Sequence, residues 1–361
     1  TDGKENVLNN VKELTVHSKD DTYRMAIAGN VNIASTAALG AALTWNRIGH
    51  QLTADDDVLE DFEKKDDNGN VVQTLVPSAL TVDGEATQTN RAKVSGYQVV
   101  TLEDAKVDIS AVDTAKFTTI SVGAVLVLPN VTSKGSNLGV EGANANSMID
   151  KTTLAELENC VVGNQTINST SVGSDMITVD VNASTDNKSL SSADVLVITA
   201  GSGDTRAALG AAVVENTIGA NTQANVTGTY GVNNMLVKSI SNQDLDNYAF
   251  GVAATTDFAL GGSVVVNTIS GDTSATIGKA DASLSKVNSS GSLGVIAESY
   301  EELTNGSGQL AASGGGKTVA ASGGGSVAVN SISGDTLATV TNADGQMFGW
   351  FKTPNANCVD V

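Results

Sequence analysis

The chain has 361 residues, of which 4% are aromatic and 37 are glycine, with a formal net charge of -20 from 20 basic and 40 acidic side chains. That length could enclose a large core, but the scarcity of bulky apolar residues argues against a compact α/β enzyme and for a repeat architecture with a thin interior. The acidic balance disfavours nucleic acid and anionic membrane surfaces as partners, and no apolar run is long enough to span a bilayer.

From the start of the chain, residues 14–18 (LTVHS) read as a first strand, and 23–35 (YRMAIAGNVNIAS) as further strand leading into a repeat. The first copy, LGAALTWNRIGHQLTA at 39–54, runs into the acidic stretch 55–67, expected to be a solvated insertion from one corner. Its clustered carboxylates Asp55, Asp56, Asp57 and Asp61 are weak calcium candidates, since the spacing lacks the glycine and final glutamate of a helix–loop–helix calcium site. Residues 71–127 return to short apolar–polar alternation. A looser repeat follows, with Gly123 and Asn130 seven residues apart and Pro129 between them. Residues 148–160 (MIDKTTLAELENC) predict a short external helix, because Thr153 and Glu156 stand at capping-box spacing.

Beyond 160 the strand pattern resumes, with LGAAVVENTIGANTQANV at 209–226, LGGSVVVNTISGDTSATI at 260–277 and GGGSVAVNSISGDTLATV at 323–340. Gly40, Gly210, Gly261 and Gly324 are each followed six residues later by an asparagine (Asn46, Asn216, Asn267, Asn330) and then by an isoleucine (Ile48, Ile218, Ile269, Ile332). Strand residues alternate with turn residues, and no helical period is sustained. The fold expected is therefore an all-β parallel β-helix with loop insertions and one or two short external helices. One solenoid spans 1–345, with 346–361 a non-repeat tail or the start of a further segment. The asparagines are expected at turns and need not stack directly on one another, because the copies lie 51 to 170 residues apart. Several rungs then separate successive copies, and about 14 rungs would build a rod of roughly 65 Å. The glycine-rich stretch 305–326 reads as tight corners or a protrusion, and its GGGK lacks phosphate-loop spacing.

The chain carries little of the chemistry an enzyme needs. His17 and His50 are its only histidines, which supports neither a zinc cluster nor a histidine-based triad. Cys160 and Cys358 lie too far apart in sequence to suggest a disulfide scaffold. Carboxylates brought together across rungs would leave no linear motif, so acid–base pairs are the one catalytic arrangement that sequence would hide. No cofactor is expected, calcium aside.

The [LV]G[GA]xVxVNxIxxxTxAxI pattern, best matched at 260–277 and 324–340, resembles the repeats of large secreted filamentous adhesins and exoproteins, haemagglutinin-like and leukotoxin-like, of Gram-negative bacteria. The resemblance implies a right-handed β-helix at the cell surface or secreted, exported through an outer-membrane partner or a fused barrel as a segment of a longer protein. It also implies attachment to a host-cell protein or glycan. The alternative is a carbohydrate-active β-helix enzyme or a cell-damaging toxin segment. The stretches 55–67 and 305–326 are the expected contact loops.

Overall fold

The computed structural model describes residues 6–49, 63–65, 71–74, 88–128, 136–163, 176–201, 205–279, 285–314, 320–341 and 343–344. The chain winds into five stacked coils. The first holds β1 (Asn6–Ala34) and β2 (Ala37–Ile48), a small antiparallel hairpin of β3 (Glu63–Lys65) and β4 (Val71–Thr74), and β5 (Gln88–Ser95). The second holds β6 (Tyr97–Val127) and β7 (Ser136–Gly163), and the third β8 (Thr178–Thr199) and β9 (Thr205–Val232). The fourth holds β10 (Asn234–Thr255), β11 (Phe258–Ser270), β12 (Thr273–Ile277) and β13 (Ser285–Ser289). The fifth holds β14 (Leu293–Ser313), β15 (Ala321–Ser333), β16 (Thr336–Val340) and β17 (Ala343–Asp344).

Every contact between coils is a parallel ladder, so the architecture is the expected parallel β-helix. Face A stacks β1, β6, β8, β10 and β14. Face B stacks β2, the first half of β7, the first half of β9, β11 and β15. Face C stacks β5, the second half of β7, the middle of β9, β12 and β16. Ladder neighbours satisfy one another's backbone groups, which lets so many small polar residues sit in regular structure.

Side chains alternate between interior and surface, throughout β8 and in β7 as far as Leu157, after which a bulge at Asn159 shifts the register. Inward residues form three apolar clusters. The first lies between faces A and C around Ile109, Val181, Leu157 and Ile277. The second is central, around Phe117, Leu245 and the isoleucines of face B. The third, at the far end of faces A and B, is mostly alanine and valine, so the two sheets there lie close together. Polar belts divide the three.

Several expectations change. Residues 148–160 lie in β7 and are not helical, and among the described residues there is no helix. Ser147, Ile149, Thr153, Ala155 and Leu157 point inward at period two, and two flanking ladders outweigh a capping pattern of weak intrinsic preference. Most of 305–326 is also strand, in β14 and β15. The acidic insertion at 55–67 lies outside the described residues apart from the backbone of β3, as does the tail 346–361.

The coil number also changes. Neighbouring face B segments begin at Ala37, Leu138, Ala207, Phe258 and Ala321, so one coil takes 51 to 101 residues; the copies at 209, 260 and 323 stack directly, and a single coil separates the copy at 39 from them. Five coils make a body of roughly 20–25 Å along the axis rather than a 65 Å rod.

Candidate functional surface

The repeat residues form inward-facing columns on face B. One column is Gly40, Glu141, Gly210, Gly261 and Gly324; another is Asn46, Ser147, Asn216, Asn267 and Asn330; a third is Ile48, Ile149, Ile218, Ile269 and Ile332. The second coil thus holds a copy that sequence comparison missed, because glutamate and serine replace its glycine and asparagine. Gly123, assigned to the looser copy, instead lies on face A between Asn30 and Val195, and Asn130 falls outside the described residues. Glycine suits its column because the opposite sheet is near: a Cβ on Gly210 would lie 3.0 Å from the Val252 carbonyl oxygen and 3.1 Å from Val195.

The asparagines are not turn residues. They form a buried seam joining faces A and B. Asn46 Nδ2 donates to the Thr118 carbonyl at 3.2 Å and to Thr119 Oγ1 at 2.9 Å. Ser147 Oγ lies 2.9 Å from Ser189 Oγ and 3.0 Å from Ser191 Oγ, and it also donates to Asn216. Asn216 then donates to Asn247, Asn247 to Asn267 at 2.5 Å, Asn267 to Asn305 and Asn330, and Asn305 to Asn330. An amide both donates and accepts, so one residue type can carry this chain from coil to coil without burying a charge.

The second polar belt does hold charge. Lys151, with a fully buried side chain, donates to buried Asp113 at 2.8 Å and to Asp20 at 2.9 Å. Burial pushes the Asp113 carboxyl above its ordinary range and outweighs the Lys151 hydrogen bond. Partial burial also works upward on Asp20, but hydrogen bonds from Lys151 and Thr22 outweigh it and hold that carboxyl below its ordinary range. Thr153 beside Lys151, and Thr185 and Thr222 of the third coil, continue the belt, linked through their hydroxyls at 2.9 and 2.7 Å. Glu141 is the one acid in the glycine column. It fits because Gly40 and Gly123 leave room for it, and Asn30 Nδ2 donates to its carboxylate at 3.3 Å. Burial raises its pKa, with the Asn30 hydrogen bond opposing.

The corner after the isoleucine column is built by Asn221, Asp272 and Asp335. The Asp272 amide donates to Asn221 Oδ1 at 2.9 Å, and the Asp335 amide to Asp272 Oδ1 at 3.0 Å. Gly271 and Gly334 precede the two aspartates with φ of 137° and 147°, a conformation that side-chain-bearing residues rarely adopt. A shallow groove runs up this corner past Asp150, Asn221, Asp272 and Asp335. Among the described residues no group of three or more His, Cys, Asp or Glu side chains could hold a metal ion. The calcium candidates Asp55, Asp56, Asp57 and Asp61, together with His50 and Cys358, lie outside the described residues. His17 sits on the surface, 3.6 Å from Asp108, and Cys160 is buried as a free thiol.

The outer surface is divided. The first half of face A, and β5 and β7 on face C, carry charges that pair, as in Lys106–Asp108 at 2.8 Å, Lys188–Asp244 at 3.3 Å and Lys93–Glu156 at 3.5 Å. The second half of face A is largely apolar, in columns such as Val31, Ala124, Leu196, Val252 and Leu310, or Ile33, Leu126, Ile198, Ala254 and Ala312. Face B continues this with Leu39, Val140, Leu209 and Leu260, and with Leu43, Val213, Val264 and Val327, interrupted by Asn144 and Glu215. Both sheets turn their inner sides to the alanine–valine cluster, so their apolar outer sides lie back to back on a thin wedge.

No family model, curated protein or solved structure matches the chain. Among the described residues no helix is long and apolar enough to cross a membrane. Among the described residues, the apolar flank is the surface feature that needs a functional explanation. Sequence alone scattered its members over the whole chain, and only the coil register gathers them.

Proposed function

We propose that the chain is an attachment segment: a secreted or surface-exposed β-helical passenger, of adhesin or stalk type, in bacterial attachment to host cells. The observation that carries this reading is the apolar flank. It extends over all five coils, with Val31 72%, Leu39 70% and Leu196 42% exposed, while ion pairs such as Lys106–Asp108 and Lys188–Asp244 lie on the first half of face A. A contiguous apolar surface of this kind marks an interaction site more often than a neutral surface. Its shallow relief, with Ala211, Gly262 and Gly325 flooring a trough between leucine and valine ridges, suits a flat protein surface better than a deeply held sugar. Stacked ladders supply the stiffness to hold such a face in place. Export through an outer-membrane partner or a fused barrel belongs to the same reading, on the strength of the repeat resemblance.

The test is binding of the purified chain to host cells and to immobilised glycans. It is run with Val31→Glu and Leu39→Glu variants and with a variant lacking residues 55–67. Saturable cell binding that the flank variants lose, while keeping β-rich circular dichroism, supports the reading. Binding lost only on deleting 55–67 moves the contact to that insertion, and absence of binding by the folded chain makes this segment a spacer.

A further inference from the structure

We propose that Lys151 and Asp113 condense into an intramolecular isopeptide bond, with Asp20 carrying the protons. The inference rests on the interior of the second coil and is independent of the attachment reading. Lys151 is the only buried lysine among the described residues, and its side chain and that of Asp113 are both fully enclosed. Packing alone does not require this pair. One coil on, the ladder partners of Asp113 and Lys151 are Thr185 and Ala220, so the belt is built there without charge.

Two strands of one coil supply the reactants. Asp113 points inward from β6 between Ala111 and Ala115, and Lys151 points inward from β7 between Ile149 and Thr153. Lys151 Nζ donates to Asp113 Oδ1 at 2.8 Å, which sets the nitrogen beside the carboxyl carbon. The other oxygen, Asp113 Oδ2, is buried and has no hydrogen-bond partner among the described residues, so nothing there holds it as it departs. Asp20 completes the group. It is the ladder partner of Asp113 in the first coil, and Nζ donates to its Oδ2 at 2.9 Å. Gln88 Nε2, 2.9 Å from that same oxygen, and Thr22 Oγ1, 3.0 Å from Asp20 Oδ1, orient the carboxylate. Burial favours the neutral acid at Asp113, whereas at Asp20 partial burial is outweighed by the hydrogen bonds from Lys151 and Thr22, which favour the anion. Two neighbouring acids pushed apart in this way divide the work, one as electrophile and the other as base.

The step balances with no oxidant or cofactor. Asp20 takes a proton from the Lys151 ammonium and delivers it to Asp113, giving an amine and a carboxylic acid. The amine nitrogen adds to Asp113 Cγ. Asp20 then carries a second proton from that nitrogen to the departing hydroxyl, the Cγ–Oδ2 bond breaks, and one water leaves. Carboxylate and ammonium have become an amide and water, and Asp20 ends as it began. In bulk water hydrolysis would win. Here the reactants are already in contact, the interior excludes water, and a buried ion pair gives way to a neutral amide. The comparably enclosed pair Arg206–Asp257 is no such site, because a guanidinium stays protonated. The bond ties face A to face C across 38 residues of chain, and like any cross-link it restricts the unfolded state.

Intact-mass spectrometry of the full chain, refolded from denaturant and followed over time, tests this. The expected product is lighter than the sequence by one water, and digestion recovers a single branched peptide joining Lys151 to Asp113. Chain kept in denaturant should retain its full mass. Asp20→Ala should slow formation by about a hundredfold or more while β-rich circular dichroism persists. The double variant Lys151→Met/Asp113→Leu should fold and keep the full mass of its sequence. A folded parent chain that keeps its full mass overturns the proposal by itself. So does a lost water that digestion maps to any other residues, or a link that folded Asp20→Ala chain forms at the parental rate.

Discussion

Asn247 Nδ2 donates to Asn267 Oδ1 across the interior at 2.5 Å, and the two residues belong to opposite faces of the same coil. Asn267 also donates to Asn305 and Asn330, so three other amides depend on it. Asn267→Ala should destabilise the fold by about 2–4 kcal/mol, because a buried polar group left without its partner costs about 1–3 kcal/mol. Denaturant unfolding checks this through the midpoint at unchanged slope. Asn144→Ala, on the outer side of face B, is the control and should shift the midpoint little.

Lys151 is the only base among the described residues that meets Asp113. Lys151→Met should cost about 3–5 kcal/mol near neutral pH, since it strands a buried carboxylate. Replacing Asp113 by Leu as well should recover most of that loss, as apolar substitution of a whole buried pair often does. Burial already raises the Asp113 pKa. The Lys151→Met deficit should therefore narrow as pH falls and Asp113 takes up a proton. Thermal melts of both variants across the acid range test the pair.

Glu141 gives a pH dependence of definite sign. Its folded-state pKa is raised, chiefly by burial. The stability it contributes is full below the ordinary glutamate range and is lost as pH rises through the folded-state value. Glu141→Gln has no ionisation to lose. The variant should melt above the parent at pH 7, and the gap should close on acidification. Equal melting temperatures at pH 7 would mean that Glu141 ionises in the fold without penalty.

Gly271 and Gly262 separate backbone need from mere presence in the repeat. A Cβ on Gly271 would run into the Ala220 carbonyl oxygen, and its φ of 137° is strained for any L residue. Gly271→Ala should cost about 1–3 kcal/mol. At Gly262 the nearest atom to a Cβ is the Gly325 carbonyl oxygen at an ordinary 3.8 Å, so Gly262→Ala should change stability by no more than about 0.5 kcal/mol.

The fold class was legible because the alternation of Val264, Val266 and Ile269 with turn residues has no helical counterpart, and because Gly, Asn and Ile recur at fixed spacing. The coil length was not legible. Spacings of 51 and 63 residues between repeat asparagines looked like gaps holding further rungs, whereas a coil with several faces consumes that length. Strand identity failed at residues 148–160 for a local reason. Lys151 faces inward there, so the apolar half of the alternation is broken by a charge whose partner, Asp113, is 38 residues away. Asparagine was read as a turn former. In the structure Asn221, Asp272 and Asp335 build the corner, and the repeat asparagines take the interior, where only a partner on the facing sheet makes them stable. The apolar flank was invisible for want of register: Val31, Leu196 and Leu310 share one column yet lie in different coils.

The most direct measurement of the central claim, that successive repeat copies stack coil on coil, is disulfide formation between Thr217→Cys and Thr268→Cys in a Cys358→Ser background. The two residues are ladder partners, both pointing outward, in β9 and β11. Parallel neighbours lie about 4.8 Å apart, within the Cα separation a disulfide accepts. Direct stacking predicts ready intramolecular oxidation of this pair, with none for Thr217→Cys and Val264→Cys, which are out of register. If other rungs intervened between the copies, the first pair would stay reduced as well, and the five-coil arrangement would be wrong.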